Sequence, residues 1–289
     1  LNQHIHFHEV HVPEYPLFHY QPYELALSSK LVDTVLAHDI ELLHVHYAIP
    51  HAYAGYMAQQ MLREHGKNIP MVTTLHGTDI TLVGQHPFYK PAVQFSINQS
   101  NVVTSVSADL KKKTNELFQL DKEISVVPNF IDASKYVFPP TDCQRTLIAK
   151  DSERVITHIS NFRPVKCIPD VIEVFDRIQR EIPAKLMMVG DGPERENAER
   201  LCEEKGISDR VIFLGNSNEI DRILCFSDLF LLPSISESFG LAALEAMINR
   251  TPVVSSDTGG IPEVNLHGVT GYLCSVGDVA SMAKYSIDL

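Results

Sequence analysis

Glu237 and Glu245 stand eight residues apart, with Ser238-Phe239-Gly240-Leu241 directly after the first of them. On a helix, eight residues span about 12 Å, whereas the two carboxylates of a retaining glycosidase sit roughly 5 Å apart. The pair therefore cannot act as acid and base on one bond. Glu237 falls in a loop, and Glu245 one to two turns into a helix made largely of leucine, alanine and methionine. So placed, one carboxylate can accept hydrogen bonds from a sugar ring and the other from ribose hydroxyls. The alternative is a solvated loop residue and a surface helix residue. The apolar neighbours of Glu245 count against that alternative for Glu245.

Three loops have a composition suited to an anionic ligand. They are Gly190-Asp191-Gly192-Pro193-Glu194, residues 234–240, and Thr258-Gly259-Gly260-Ile261-Pro262-Glu263. Each follows an apolar run that reads as a strand and leads towards a helix. Ligands of open α/β sheets sit at the carboxyl ends of strands. Glycine lets the backbone approach them, and helix N-termini supply N–H groups. A diphosphate fits such a site. One loop alone is ordinary turn geometry; three in one half of the chain favour a site.

The elements that must position these loops follow a repeated strand–turn–helix pattern, which implies a parallel sheet with helices on its faces. In the first half, helices are expected over 23–37, 52–64 and 91–99, with Ser107 capping a further one. Strands are expected over 40–46, 70–76, 102–106 and 124–129. Residues 4–10 alternate histidine with apolar residues, as a half-exposed or edge strand does. In the second half, strands over 155–160, 185–190, 211–215, 229–233 and 252–256 alternate with helices over 169–181, 194–205, 219–225 and 241–248. Pro139-Pro140 and weak periodicity place a linker within 133–152. The expected domains are thus 1–140 and 141–289, which suits a chain of 289 residues. Both ends read as cut, with a first strand and Gly-rich loop missing from one domain and C-terminal helices from the other.

A formal charge of −12 argues against nucleic acid or an anionic membrane as the main partner. An anionic substrate would need positive potential gathered locally by a few Lys or Arg residues and helix N-termini. No apolar run reaches the length of a membrane span. The five cysteines are scattered and never spaced C-x-x-C, so they read as reduced thiols in a cytoplasmic protein. His4, His6 and His8 share one strand face, as do His44 and His46. Lacking acidic or cysteine partners at ligand spacing, they read as solvated faces and not as a metal set. Lys111-Lys112-Lys113 reads as a solvated helix face.

Glu237 and Glu245 with Phe239-Gly240, followed by Gly259-Gly260-Ile261-Pro262-Glu263, resemble the signature of the large retaining glycosyltransferase family 4. The resemblance covers essentially the whole chain. It implies the GT-B fold, two Rossmann-like parallel-sheet α/β domains facing a cleft, the first on the acceptor side and the second binding the nucleotide sugar. Three further stretches are similar to one branch of that family: His44-Val45-His46-Tyr47-Ala48-Ile49-Pro50-His51, Thr74-Leu75-His76-Gly77-Thr78-Asp79, and His158-Ile159-Ser160-Asn161-Phe162-Arg163-Pro164-Val165-Lys166. That branch opens bacillithiol biosynthesis. It joins N-acetylglucosamine from UDP-GlcNAc to the hydroxyl of L-malate, with retention and without a metal, so no cofactor is expected.

By position, the resemblance implies that Lys166, Arg163, Glu237 and His76 form the catalytic set. Lys166 matches the lysine that neutralises the departing diphosphate. The family's arginine five positions earlier is Asn161 here, and nearby Arg163 stands as its substitute. Glu237 corresponds to the contact with donor-sugar hydroxyls and Glu245 to the contact with ribose. Phe239, Gly240 and Leu241 offer backbone N–H groups, and Ser238, Gly192 and Asn161 complete the donor set. His76 matches a histidine that reaches the donor sugar. Tyr47 and Thr78, at strand ends, are expected to hold the malate carboxylates, with turn and packing roles as the equal alternative. A family member with another acceptor, a UDP-GlcNAc 2-epimerase and a non-catalytic nucleotide-sugar-binding module are the rival readings. The Glu237/Glu245 motif counts against the epimerase, and self-association into a homo-oligomer is left open.

Overall fold

Short runs of β-branched and apolar residues alternate with amphipathic stretches, and they fold here as parallel strands crossed by helices. The computed structural model describes residues 4–14, 19–136, 143 and 145–289. The chain divides into two units, Leu1–Pro128 and Asn129–Leu289. The expected boundary at 140/141, with Pro139-Pro140, lies outside the described residues.

The first unit comprises α1 (Tyr23–His38), β1 (Leu43–His46), α2 (Tyr53–Glu64), β2 (Met71–Leu75), α3 (Lys90–Gln99), β3 (Val102–Ser105), α4 (Ala108–Leu117) and β4 (Ile124–Val126). Its strands form one parallel sheet in the order β1-β2-β3-β4. In β1 the period-two rule sends Leu43 and Val45 inward and His44 and His46 outward. The inward pair joins a core with Val35, Leu62 and Met71. Ser107 caps α4 as expected, its hydroxyl accepting the Leu110 N–H at 3.1 Å.

Residues 5–14 form no strand, which corrects the expectation of an edge strand over 4–10. Alternation alone does not make a strand; a ladder partner and a buried face must reward the ordering. Ile5 and Phe7 have neither, being 56% and 78% exposed.

The second unit comprises β5 (Arg154–Ile159), α5 (Ile168–Glu181), β6 (Ala184–Val189), α6 (Arg195–Lys205), β7 (Val211–Gly215), α7 (Ile220–Leu224), β8 (Leu229–Leu232), α8 (Leu241–Ile248), β9 (Val253–Ser256), β10 (Gly271–Cys274) and α9 (Val279–Asp288). The sheet is parallel, in the order β10-β9-β8-β5-β6-β7. Its core is filled from α5, whose Val171, Ile172, Val174, Phe175 and Ile178 are fully buried against the sheet. The chain builds outward from β5 through β6 and β7, then returns to the other side of β5 with β8. That reversal opens a crevice beyond the carboxyl ends of β5 and β8. It is flanked by the loops that follow those strands.

A disulfide joins Cys143 to Cys225, with Cα atoms 5.9 Å apart. This corrects the expectation of five reduced thiols and leaves Cys167, Cys202 and Cys274 free. Proximity was invisible in the sequence because 82 positions separate the partners. Arg145 ties down the same stretch, donating to the carbonyls of Phe226 at 2.5 Å and Glu153 at 2.7 Å and pairing with Asp228 at 2.7 Å.

Candidate active site

In the second unit the expected donor residues converge at the β5/β8 crevice. Lys166 ends a short turn (Pro164–Lys166) after β5, and Glu237 lies in the loop after β8. Their side chains form an ion pair, with 19% and 14% of each exposed. Glu237 Oε1 also accepts the hydroxyl of Ser234 at 3.0 Å. A largely desolvated pair of this kind holds both side chains in fixed rotamers. Glu237 is thus an oriented hydrogen-bond acceptor.

Backbone contacts fix the loops to one another. The Ile235 N–H donates to the Val165 carbonyl at 2.9 Å, joining the Lys166 turn to the Glu237 loop. The Gly260 N–H donates to the Glu237 carbonyl at 2.9 Å. The neighbouring Gly259 has φ +60°, and a Cβ there would lie 1.9 Å from the Glu237 carbonyl oxygen. Only glycine fits that position. Gly192 packs in the same way on Asn161, where a Cβ would approach the carbonyl oxygen to 2.2 Å. Three of the predicted loops therefore form one constellation, with Asn161 and Arg163 exposed on its β5 side.

Gly240, at φ +94°, turns the chain into α8, so the N–H groups of the first turn, beginning at Leu241, lie at the helix start beside Ser238 and Phe239. Glu245 lies farther along α8, half-buried. Burial raises its carboxyl above the usual range, and the nearby Asp221 adds to the shift. The Tyr136 phenol is raised by burial and by the charges of Asp221 and Glu245. Glu237 and Glu245 therefore occupy different environments, one paired with a lysine and the other beside an acid and a phenol.

Three participants here, Ser234, His158 and Ser160, lie in stretches that the sequence singles out but receive no role of their own from it. Ser234 orients Glu237 but reads as an ordinary turn residue. Fully buried His158 donates from Nδ1 to the Leu231 carbonyl at 2.9 Å, which leaves Nε2 to accept the Ser160 hydroxyl at 2.8 Å. The Ser160 oxygen in turn accepts the Phe162 N–H at 3.3 Å. Burial drops the His158 pKa to about 4, so its ring is neutral and its tautomer fixed. The relay runs from β8 through β5 into the loop that carries Arg163 and Lys166.

In the first unit, His76 lies just past β2 and Tyr47 just past β1. His46 Nδ1 and His76 Nε2 share a hydrogen bond of 2.8 Å, and the Tyr47 ring lies 4.9 Å from that of His76. Burial lowers the pKa of both histidines, and the other ring charges of the cluster lower them further. Tyr47 and Thr78 line a cavity of about 710 Å³ together with Asp79, Pro50, His51 and Tyr53. Among the described residues no group of three His, Cys, Asp or Glu side chains is placed to hold a metal ion. No helix among them is long and apolar enough to cross a membrane.

The family model for glycosyl transferases group 1 matches residues 143–289, and that for glycosyltransferase family 4 matches residues 1–135. The N-acetyl-alpha-D-glucosaminyl L-malate synthase of Bacillus anthracis is 47% identical over 286 residues, which is 99% of this chain and 74% of that protein. The fold is similar to that of Anabaena HepE, crystallised with UDP and glucose, at TM-score 0.79 and 24% identity over 93% of this chain and 71% of that one. It is also similar to sucrose-phosphate synthase from Thermosynechococcus elongatus, at TM-score 0.75 and 20% identity over 95% of this chain and 72% of that one. The two parallel-sheet units are those of the GT-B fold.

Proposed function

Since the chain belongs to the family 4, group 1 glycosyltransferases, we propose that it transfers N-acetylglucosamine from UDP-GlcNAc to the hydroxyl of L-malate with retention, in the first step of bacillithiol biosynthesis. The likeness to the malate synthase, spread over both units, carries this reading. The donor side is supported by the Lys166–Glu237 pair and the loops packed around it.

In this reading the bond between the anomeric carbon and the diphosphate breaks as the malate hydroxyl adds from the same face. The hydroxyl proton passes to the departing phosphate oxygen. Charge builds on that oxygen, and Lys166, Arg163 and the N-terminal N–H groups of α8 are worth most there. Glu237 accepts hydroxyls of the donor sugar and Glu245 those of the ribose. Asn161, Gly192, Ser238, Phe239, Gly240 and Leu241 shape the diphosphate site. His76 serves the donor sugar, and Tyr47 and Thr78 the malate carboxylates. Glu237 is engaged by Lys166 and Ser234, which suits a hydrogen-bond acceptor better than a covalent nucleophile. Trapping a glycosylated enzyme side chain would refute the front-face route.

The deciding experiment is UDP release from UDP-GlcNAc against a panel of hydroxy acids, sugar phosphates and lipids. L-malate is expected to support the fastest turnover. Turnover with another acceptor but none with L-malate overturns the acceptor. No turnover with any acceptor, together with tight UDP binding, points to a binding module. The reading also places the protein in the cytoplasm, where thiols are normally held reduced, so the state of the Cys143–Cys225 pair in freshly lysed cells bears on it.

A further inference from the structure

Leaving water penalises the charged form of a carboxylate, so a buried one must be held by strong donors. Asp79 is 2% exposed. Its Oδ2 accepts the Ala48 N–H at 2.7 Å, and its Oδ1 accepts the Gly77 N–H at 3.0 Å. Burial raises its carboxyl above the usual range, while main-chain N–H groups pull it back. The two donors belong to different loops. Ala48 directly follows Tyr47 after β1, and Gly77 directly precedes Thr78 after β2.

Both loops are conformationally demanding where the carboxylate grips them. Tyr47 has φ 76° and ψ 136°, a region that L residues other than glycine rarely enter. Gly77 has φ 114°. A strained backbone persists only where its surroundings over-determine it. Main-chain bonds such as Tyr47 N–H to the Thr74 carbonyl at 2.9 Å and Ile80 N–H to the Gly77 carbonyl at 2.9 Å hold each loop by itself, and the Asp79 carboxylate adds a restraint shared by both.

We infer that Asp79 is a positioning residue for the acceptor, clamping the Tyr47 and Thr78 loops in the arrangement that meets L-malate. This rests on the proposed function, in which Tyr47 and Thr78 take the carboxylates. Asp79→Asn keeps the shape but turns an –NH2 towards one of the two N–H donors, so one loop is released.

The test is steady-state kinetics on the wild type, Asp79→Asn, Tyr47→Phe and the double variant. Asp79→Asn is expected to raise KM for L-malate about tenfold or more, while kcat and KM for UDP-GlcNAc stay within about twofold. In the Tyr47→Phe background the Asp79→Asn effect should shrink, because both act through one group. A lowered kcat with KM raised equally for both substrates, or full additivity with Tyr47→Phe, would make Asp79 a structural residue only and overturn the inference. If Asp79→Asn does not fold by circular dichroism, Asp79→Ser is read by the same constants. Failure of both to fold also overturns it. A Tyr47→Phe variant with unchanged KM for L-malate instead removes Tyr47 from the proposed acceptor site. Absence of any turnover with L-malate in the wild type overturns the functional reading itself.

Discussion

In the proposed reaction Lys166 faces the departing phosphate, while within the protein it is paired with Glu237. Its value is therefore greatest where the leaving group's charge outcompetes that carboxylate, which is in the transition state. Lys166→Ala is expected to lower kcat by about 10²–10³-fold while raising KM for UDP-GlcNAc by less than about tenfold. Stopped-flow UDP release separates the two constants, and an effect confined to KM would reduce Lys166 to a binding residue. Glu245 is a different case, because burial and Asp221 raise its carboxyl. A folded-state value above the unfolded one means the buried charge opposes folding at neutral pH, and the penalty is relieved as pH falls through the raised value. Glu245→Gln should thus leave stability at pH 7 equal or higher, with the difference from wild type shrinking towards pH 4.5. It should raise KM for UDP-GlcNAc several-fold at constant kcat, roughly what one lost ribose hydrogen bond gives. Urea titrations at the two pH values and initial rates check both parts.

At the scale of elements, the β5/β8 reversal creates the crevice, and beneath it buried His158 of β5 adds a side-chain hydrogen bond to the Leu231 carbonyl of β8. Its pKa drops from 6.5 to about 4 because burial penalises the imidazolium. The unfolded chain therefore takes up a proton that the folded one refuses, and stability is lost as pH falls from about 6.5 towards 4. For a fully buried ring the loss attributable to His158 is on the order of 3 kcal/mol. His158→Gln retains a donor and an acceptor without a titrating ring. It is expected to flatten that part of the stability–pH curve, as measured by denaturant unfolding between pH 4 and 7. An unchanged slope would assign acid sensitivity to other groups. Because the same ring reaches Ser160 and the Phe162 N–H, the variant should also loosen the turn that presents Lys166.

For the whole molecule, a charge of −12 must coexist with an anionic donor. The proposed donor site resolves this locally, with Lys166, Arg163 and the start of α8 assigned to supply positive potential beside backbone N–H groups. The Cys143–Cys225 bridge acts at the same scale by closing a loop across 82 positions of the second unit. Loop-closure entropy for a loop of that length corresponds to about 4.5 kcal/mol, at the upper end of what disulfides contribute. Thiol titration of the denatured, unreduced protein should count three thiols out of five. The Cys143→Ser/Cys225→Ser variant should unfold at lower urea. Five titratable thiols would place the pair in the reduced state in solution.

The sequence by itself determined the alternation of strands and helices and the Ser107 cap. It also determined the three glycine-bearing loops and the separation of Glu237 from Glu245 by a helix, since period, propensity and rise per residue are local properties. It misread 4–10, where alternation had no ladder partner, and the cysteines, where pairing depends on distance in space. Only the tertiary structure could decide that Lys166 meets Glu237 across 71 positions, that neutral His158 bridges two strands, and that Asp79 joins two loops of the first unit. Each of those is a contact between groups far apart in the chain, set by sheet order and close packing. No spacing along the sequence encodes them.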